Sequence, residues 1–134
     1  QRGGVAPNIA YTMALLGARP HVMATVGEDF AEYRAWLEAK GVDTALMEVV
    51  PDVYTASFFA TTDQANAQIA SFYPGAMGHA GTQSIKKLPS KPELVLVSPN
   101  EPGAMTKFAA ESRELEVPYL YDPSQQVLRL EGEE

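Results

Sequence analysis

The run "ELVLVSP" at residues 93–99 constrains this chain more than any other stretch. It is almost continuously apolar, which reads as a strand covered on both faces, the kind that parallel sheets contain. A parallel neighbour needs a crossover connection. Residues 102–115 supply one: they read as a helix with proline near its first turn. "VPYLYDP" (117–123) is then the next strand, and Pro123 stops it.

The amino-terminal part alternates in the same way. Ile9, Met13 and Leu16 recur at helical spacing over residues 9–16, and Gly17 is placed to end that helix. Ala10 and Ala14 allow close packing on a sheet. "HVMATV" (21–26) is a short buried strand, and Gly27 turns the chain. Asp29 reads as the N-cap of a helix over 30–40 with an apolar stripe of Phe30, Tyr33, Leu37 and Trp36. Gly41 fits the position just past its end.

The middle changes character. "TALMEVV" is strand-like. "YTASFFATTD" and "QIASFYPG" flank the polar tip "QANA", a hairpin signal with a long loop. Phe58 and Phe59 are adjacent, so both faces of this hairpin call for cover at some stage. "PGAMGHAG" (74–81) has the composition of a flexible or ligand-facing loop. The expected architecture is an α/β, doubly wound, Rossmann-like sheet from residues 1–43 and 82–134, with a β-rich insertion over 44–81. Ligands of such folds sit at the carboxyl ends of the strands.

Charge and composition remove several functions. A formal net charge of −7 argues against a nucleic-acid or anionic-membrane surface, although a phosphorylated small molecule remains compatible. The absence of cysteine excludes disulfides, thiolate metal sites and cysteine nucleophiles. No apolar run approaches the roughly 20 residues of a membrane span, so a soluble cytoplasmic protein is the expectation. His21, within a strand, reads as packed or hydrogen-bonded, and His79 as a solvated loop residue. Two distant histidines without clustered carboxylates do not make a metal site. Glu28 and Asp29 read as a turn and a helix cap rather than an acid–base pair. The acidic cluster at 131–134 reads as a solvated helix start.

The opening "QRGGVAPN" carries the most chemistry. Two glycines allow close ligand approach, a helix start offers unpaired N–H groups, and Asn8 adds a donor and an acceptor. The set suits sugar hydroxyls. A plain Gly turn with Asn8 as helix N-cap fits the local residues equally well. Neither the Walker pattern nor G-x-G-x-x-G is present.

Gly3-Gly4, Asn8, Ala10, Gly17 and Gly27 together match, in order, the amino-terminal signature of the ribokinase-like (PfkB-type) carbohydrate kinase family. "GGVAPNIAYTMALLGARPHVMATVGED" resembles that signature along its length, and "FAEYRAWLEAKGVDT" resembles the family's next helix and turn. "TASFFATTDQANAQIASFYPGAM" is similar to the strand pair that serves as a lid over the sugar. "LVLVSPNEPGAM" is similar to the strand whose end supplies another substrate contact. "FYPGAM" and "YDPSQQ" resemble the adenosine- and nucleoside-kinase-like branch.

The resemblance implies that Gly3, Gly4, Asn8 and Asn100 contact substrate, Asn100 standing where several relatives have an acid. It implies phosphorylation of a primary hydroxyl with ATP and Mg²⁺. The first substrate expectation is adenosine or a related nucleoside; ribose or a ketohexose, or binding without turnover, are alternatives. Phe58, Phe59, Phe72 and Tyr73 are lid aromatics able to stack on a base, although hairpin core packing is the ordinary role for at least half of them; Phe58 and Phe72 are the chosen candidates. The family's catalytic Gly-Ala-Gly-Asp motif and its Mg²⁺-organising Asn-x-x-Glu motif are absent, and the resemblance places them beyond Glu134. It likewise places a strand with a sugar-binding Asp before Gln1. The expectation is a substrate-binding and lid portion of a longer enzyme, inactive alone, with a homodimer formed through the lid.

Overall fold

The computed structural model describes residues 2–129. The acidic cluster at 131–134 lies outside the described residues. In chain order the elements are α1 (Val5–Leu15), β1 (Ala24–Val26), a 3-10 turn (Glu28–Phe30) leading into α2 (Ala31–Ala39), and β2 (Met47–Val49). The hairpin β3 (Ser57–Thr62) and β4 (Gln68–Tyr73) follows, then 3-10 segments at Gly75–Thr82 and Ile85–Lys87. β5 (Val95–Val97), α3 (Pro102–Glu114), β6 (Tyr119–Tyr121) and a 3-10 turn (Ser124–Arg129) complete the order.

Two βαβ units result. β1 and β2 pair in parallel with α2 between them, Ala24 opposite Met47 and Val26 opposite Val49. β5 and β6 pair in parallel with α3 between them, Val95 opposite Tyr119 and Val97 opposite Tyr121. The described strands form three separate pairs, and no ladder joins the two parallel ones. Side chains tie the first pair to the 3-10 region that follows the hairpin. Thr25 Oγ1 donates to the carbonyl of Ala76 at 2.7 Å, and Gln83 Nε2 donates to the carbonyls of Ala24 and Leu46 at 3.2 and 2.9 Å.

Each unit has its own core. Val22, Val26, Phe30, Leu37, Val42 and Met47 pack together with Ala10 of α1. Ile85, Val97, Met105 and Phe108 pack with Ala80 and Ala104. The apolar strand at 93–99 is less covered than its composition suggests. Val97 is buried, but Leu96 is half-buried, and its cross-strand partner Leu120 is 56% exposed. One face of this pair meets α3 and the other stays open.

Three local expectations need correction. α1 starts at Val5, four residues before the apolar periodicity, because Pro7 is tolerated in a first turn, where N–H groups have no intrahelical partner. Asp29 does not cap α2: its carboxylate is committed elsewhere. The segment 74–81 is not a loose loop. It is a 3-10 segment whose Ala76 and Ala80 are fully buried, since its small side chains let the backbone approach β1 closely.

The region expected as a β-rich lid over 44–81 also divides. β2 belongs to the first βαβ unit and the 3-10 segment fills the core, which leaves the β3–β4 ribbon as the protruding part. Helix ends follow the sequence more closely. The N–H groups of Gly17 and Ala18 bond back to Ala14 and Met13, and those of Gly41 and Val42 to Glu38 and Leu37.

Candidate substrate site

The Gly-Gly turn adopts a conformation that glycine makes possible. Gly4 has φ 100° and ψ 138°, a region closed to other residues by their Cβ. It is the N-cap of α1, with no side chain bonding the first turn. Pro7 contributes no N–H. The N–H groups of Gly4, Val5 and Ala6 have no hydrogen-bond partner among the described residues. Asn8 sits one turn inside the helix, so it is not the cap. Its N–H bonds to the carbonyl of Gly4 at 3.1 Å, and its exposed amide makes no hydrogen bond within the described residues. Three unpaired donors and one amide therefore lie at one helix start.

The turn is tied to α2, whose first turn follows the carboxyl end of β1. Tyr33 Oη donates to the carbonyl of Gly3 at 2.9 Å, and Arg2 pairs with Glu32 at 2.9 Å. The Arg2 guanidinium also lies 5.2 Å from the centre of the Trp36 ring. Tyr33 packs between Phe30 and Trp36, with ring centres at 5.0 and 5.9 Å, and Tyr11 meets Trp36 at 5.1 Å. Burial raises the Tyr33 phenol above its ordinary pKa, outweighing the lowering effect of Arg2.

The root of the ribbon is clamped to the same end of β1. Asp29 Oδ1 accepts from both the N–H and the hydroxyl of Thr55, each at 2.8 Å. The Thr55 hydroxyl in turn accepts from the N–H of Gly27 at 2.9 Å. Burial pushes the Asp29 carboxyl up, but the two bonds from Thr55 outweigh it, and the net shift is downward. Just past the returning strand, the N–H of Ala76 donates to the carbonyl of Tyr54 at 2.9 Å. Gly75 lies so close that a Cβ there would meet that same oxygen at 2.1 Å.

Beyond this root the ribbon has no cover. Phe58 and Phe72 are cross-strand partners on one face, 62% and 52% exposed. Phe59, Ile69 and Tyr73 share the other face and are exposed as well. The expectation that at least half of the four aromatics pack in a hairpin core therefore fails here: a two-stranded ribbon has no third layer to make one. The tip is ordered locally. Asp63 Oδ1 accepts from the N–H groups of Ala65 and Ala67 at 2.8 and 2.9 Å.

Asn100 lies at the carboxyl end of β5, just before α3. Its Oδ1 accepts from the N–H of Glu101 at 2.8 Å, which leaves Nδ2 as the part of the amide without a partner among the described residues. Glu101 then caps α3 through the N–H groups of Gly103 and Ala104 at 3.0 and 2.7 Å. No hydrogen bond joins Asn100 to Gly3, Gly4 or Asn8. Asn100 lies at the carboxyl end of β5, whereas Gly3, Gly4 and Asn8 lie at the start of α1, tied to the α2 turn that follows β1.

Two grooves among the described residues lie elsewhere. One groove of about 470 Å³ runs between α2 and Val49, and one of about 140 Å³ lies beside Gln83 and Lys87. Neither includes a candidate site residue. His21 pairs with Asp43 at 3.2 Å and His79 is exposed, in line with their unexceptional readings. Sequence reasoning missed Tyr33 and Thr55 as partners of the site, because each acts across about 26 to 30 residues of chain with no spacing signal.

Comparison with known proteins bears on this arrangement. The chain is 42% identical over 76 residues to a nucleoside kinase of Methanothermobacter thermautotrophicus, covering 55% of this chain and 25% of that protein. It superposes on the nucleoside kinase of Burkholderia thailandensis in complex with inosine with a TM-score of 0.89 and 33% identity, covering 98% of this chain and 43% of that one. A nucleoside kinase of Methanocaldococcus jannaschii, an archaeal member of the ribokinase family, shares the fold at a TM-score of 0.85 and 24% identity, over 95% of this chain and 42% of that one. The chain thus spans less than half the length of these relatives. Residues 1–130 match the sequence model described as "pfkB family carbohydrate kinase", and the chain belongs to that family, with its ribokinase-like α/β fold.

Proposed function

We propose that this chain is the substrate-binding and lid portion of a nucleoside kinase that phosphorylates a primary hydroxyl of adenosine or a related purine nucleoside. The observation that carries the reading is the set of unpaired N–H groups at Gly4, Val5 and Ala6 beside the free amide of Asn8. Hydroxyls of a ribose, which both donate and accept, match a mixed set of donors and one amide. Asn100 Nδ2 is a further donor, and the ribbon carrying Phe58 and Phe72 closes over the bound nucleoside. Similarity to a kinase solved with inosine supports a purine.

ATP is the proposed donor, with Mg²⁺, and the reaction is placed in the cytoplasm. Mg²⁺ is commonly held by one or two carboxylates together with substrate phosphates; among the described residues no group of three or more His, Asp or Glu is placed to hold a metal ion by itself. No helix among the described residues is long and apolar enough to cross a membrane.

The test is ADP formation by the full-length protein with ATP, Mg²⁺ and adenosine, inosine or ribose. Nucleosides are expected to turn over well ahead of ribose. Asn8→Ala is expected to raise the nucleoside KM about tenfold, the worth of one to two hydrogen bonds. Ribose turning over faster than either nucleoside would make this a free-sugar kinase. Saturable nucleoside binding without ADP would make it a binding module.

We also propose that the ribbon pairs with a second copy of the chain. Ile69 at 80% exposure and Phe59 at 62% lie on one of its faces, and both ribbon edges lack a strand partner. Light scattering of the full-length protein is expected to give the mass of a dimer; a monomeric mass counts against it.

A further inference from the structure

The Gly3–Gly4 peptide holds two groups with different fates. Its carbonyl, on Gly3, accepts the Tyr33 hydroxyl at 2.9 Å. Its N–H, on Gly4, is unpaired among the described residues. Among the described residues no peptide bond is cis, and in a trans peptide the carbonyl and the N–H point in opposite directions. Drawing the carbonyl toward α2 therefore turns the N–H away from α2. Without a tether, a Gly-Gly peptide rotates easily, because neither residue carries a Cβ.

Tyr33 is itself held. Phe30 and Trp36 flank its ring at 5.0 and 5.9 Å, and Trp36 is fixed by Tyr11 and by the Arg2 guanidinium. The phenol stays protonated at neutral pH, since its pKa is raised, and so it remains a donor. We infer that Tyr33 is a positioning residue for the nucleoside site, aiming the Gly4 N–H at substrate by holding the Gly3 carbonyl. This rests on the reading of the Gly3–Gly4 turn as part of that site.

The experiment compares Tyr33→Phe with Asn8→Ala in the full-length protein. Phenylalanine keeps the ring packing and removes only the hydroxyl. The nucleoside KM is expected to rise about three- to tenfold, with kcat and the KM for ATP nearly unchanged. The melting midpoint without substrate should stay within about 2 °C of the original. If Asn8→Ala raises the nucleoside KM and Tyr33→Phe does not, the positioning role is overturned and the site assignment stands. A Tyr33→Phe protein that loses melting temperature, kcat and both affinities together assigns Tyr33 a merely structural role and also overturns the inference. If neither variant alters nucleoside KM, the site assignment fails and the inference falls with it.

Discussion

Gly27→Ala is expected to destabilise the intact protein by about 3 kcal/mol, at the upper end of what overpacking a tight site costs. A Cβ at this position would lie 2.4 Å from the carbonyl oxygen of Val53 and 2.5 Å from the nitrogen of Thr55. Both are backbone atoms and cannot rotate aside. The conformation of Gly27, φ −88° and ψ 177°, is open to any residue, so the cost is one of space alone. Relief requires residues 53–55 to move, which breaks the bond from the Gly27 N–H to Thr55 and strains the Asp29 clamp. Gly78→Ala is the control, because nothing lies within 4 Å of a Cβ there. Thermal unfolding of the two variants should separate them clearly. Equal midpoints would show that the root of the ribbon is looser than this geometry.

The second large effect is expected at Glu111, which is 7% exposed on α3. Its carboxylate accepts from the Ser84 hydroxyl at 2.8 Å and from the N–H of Ile85 at 2.7 Å. These bonds seat the short Ile85–Lys87 turn, which delivers Ile85 to the second core. Glu111→Leu has similar bulk but offers no acceptor. It leaves a backbone N–H and a hydroxyl without their partner, at about 1 to 3 kcal/mol for each that stays buried. The expected loss is about 3 kcal/mol by urea denaturation. Glu111→Gln keeps one carbonyl acceptor and should lose less. A leucine variant within about 0.5 kcal/mol of the original would mean that water reaches both donors.

Much of the frame was legible because its signals are local. Pro102 opens α3, Gly17 and Gly41 follow helix ends, and the polar tip between two β-rich runs marks the hairpin. The signature through Gly3, Gly4, Asn8, Gly17 and Gly27 gave the family. What stayed hidden depends on partners distant in the chain. Asp29 has the composition of a helix cap, and only the arrival of Thr55 decides that its carboxylate goes to the ribbon instead. Pro7 masked the true start of α1, since proline ends helices in their interior but is tolerated at their beginning. The Gly- and Ala-rich stretch at 74–81 imitates a loop, although small side chains are also what a 3-10 segment needs to lie against a strand. Asn100 lies at the end of β5 and the Gly-Gly turn at the start of α1, and no single-sequence signal fixes the distance between them.

The clamp at Thr55 also makes the ribbon a lever with a stiff fulcrum. Six residues per strand carry its far end roughly 20 Å beyond the root. A tilt of about 10° at Thr55 and Gly75 would then swing the Asp63 turn by about 3.5 to 4.5 Å, and Phe58 and Phe72, each three residues or roughly 10 Å from those hinges, by about 1.7 Å. The distal turn therefore travels at least twice as far as the paired phenylalanines nearer the root.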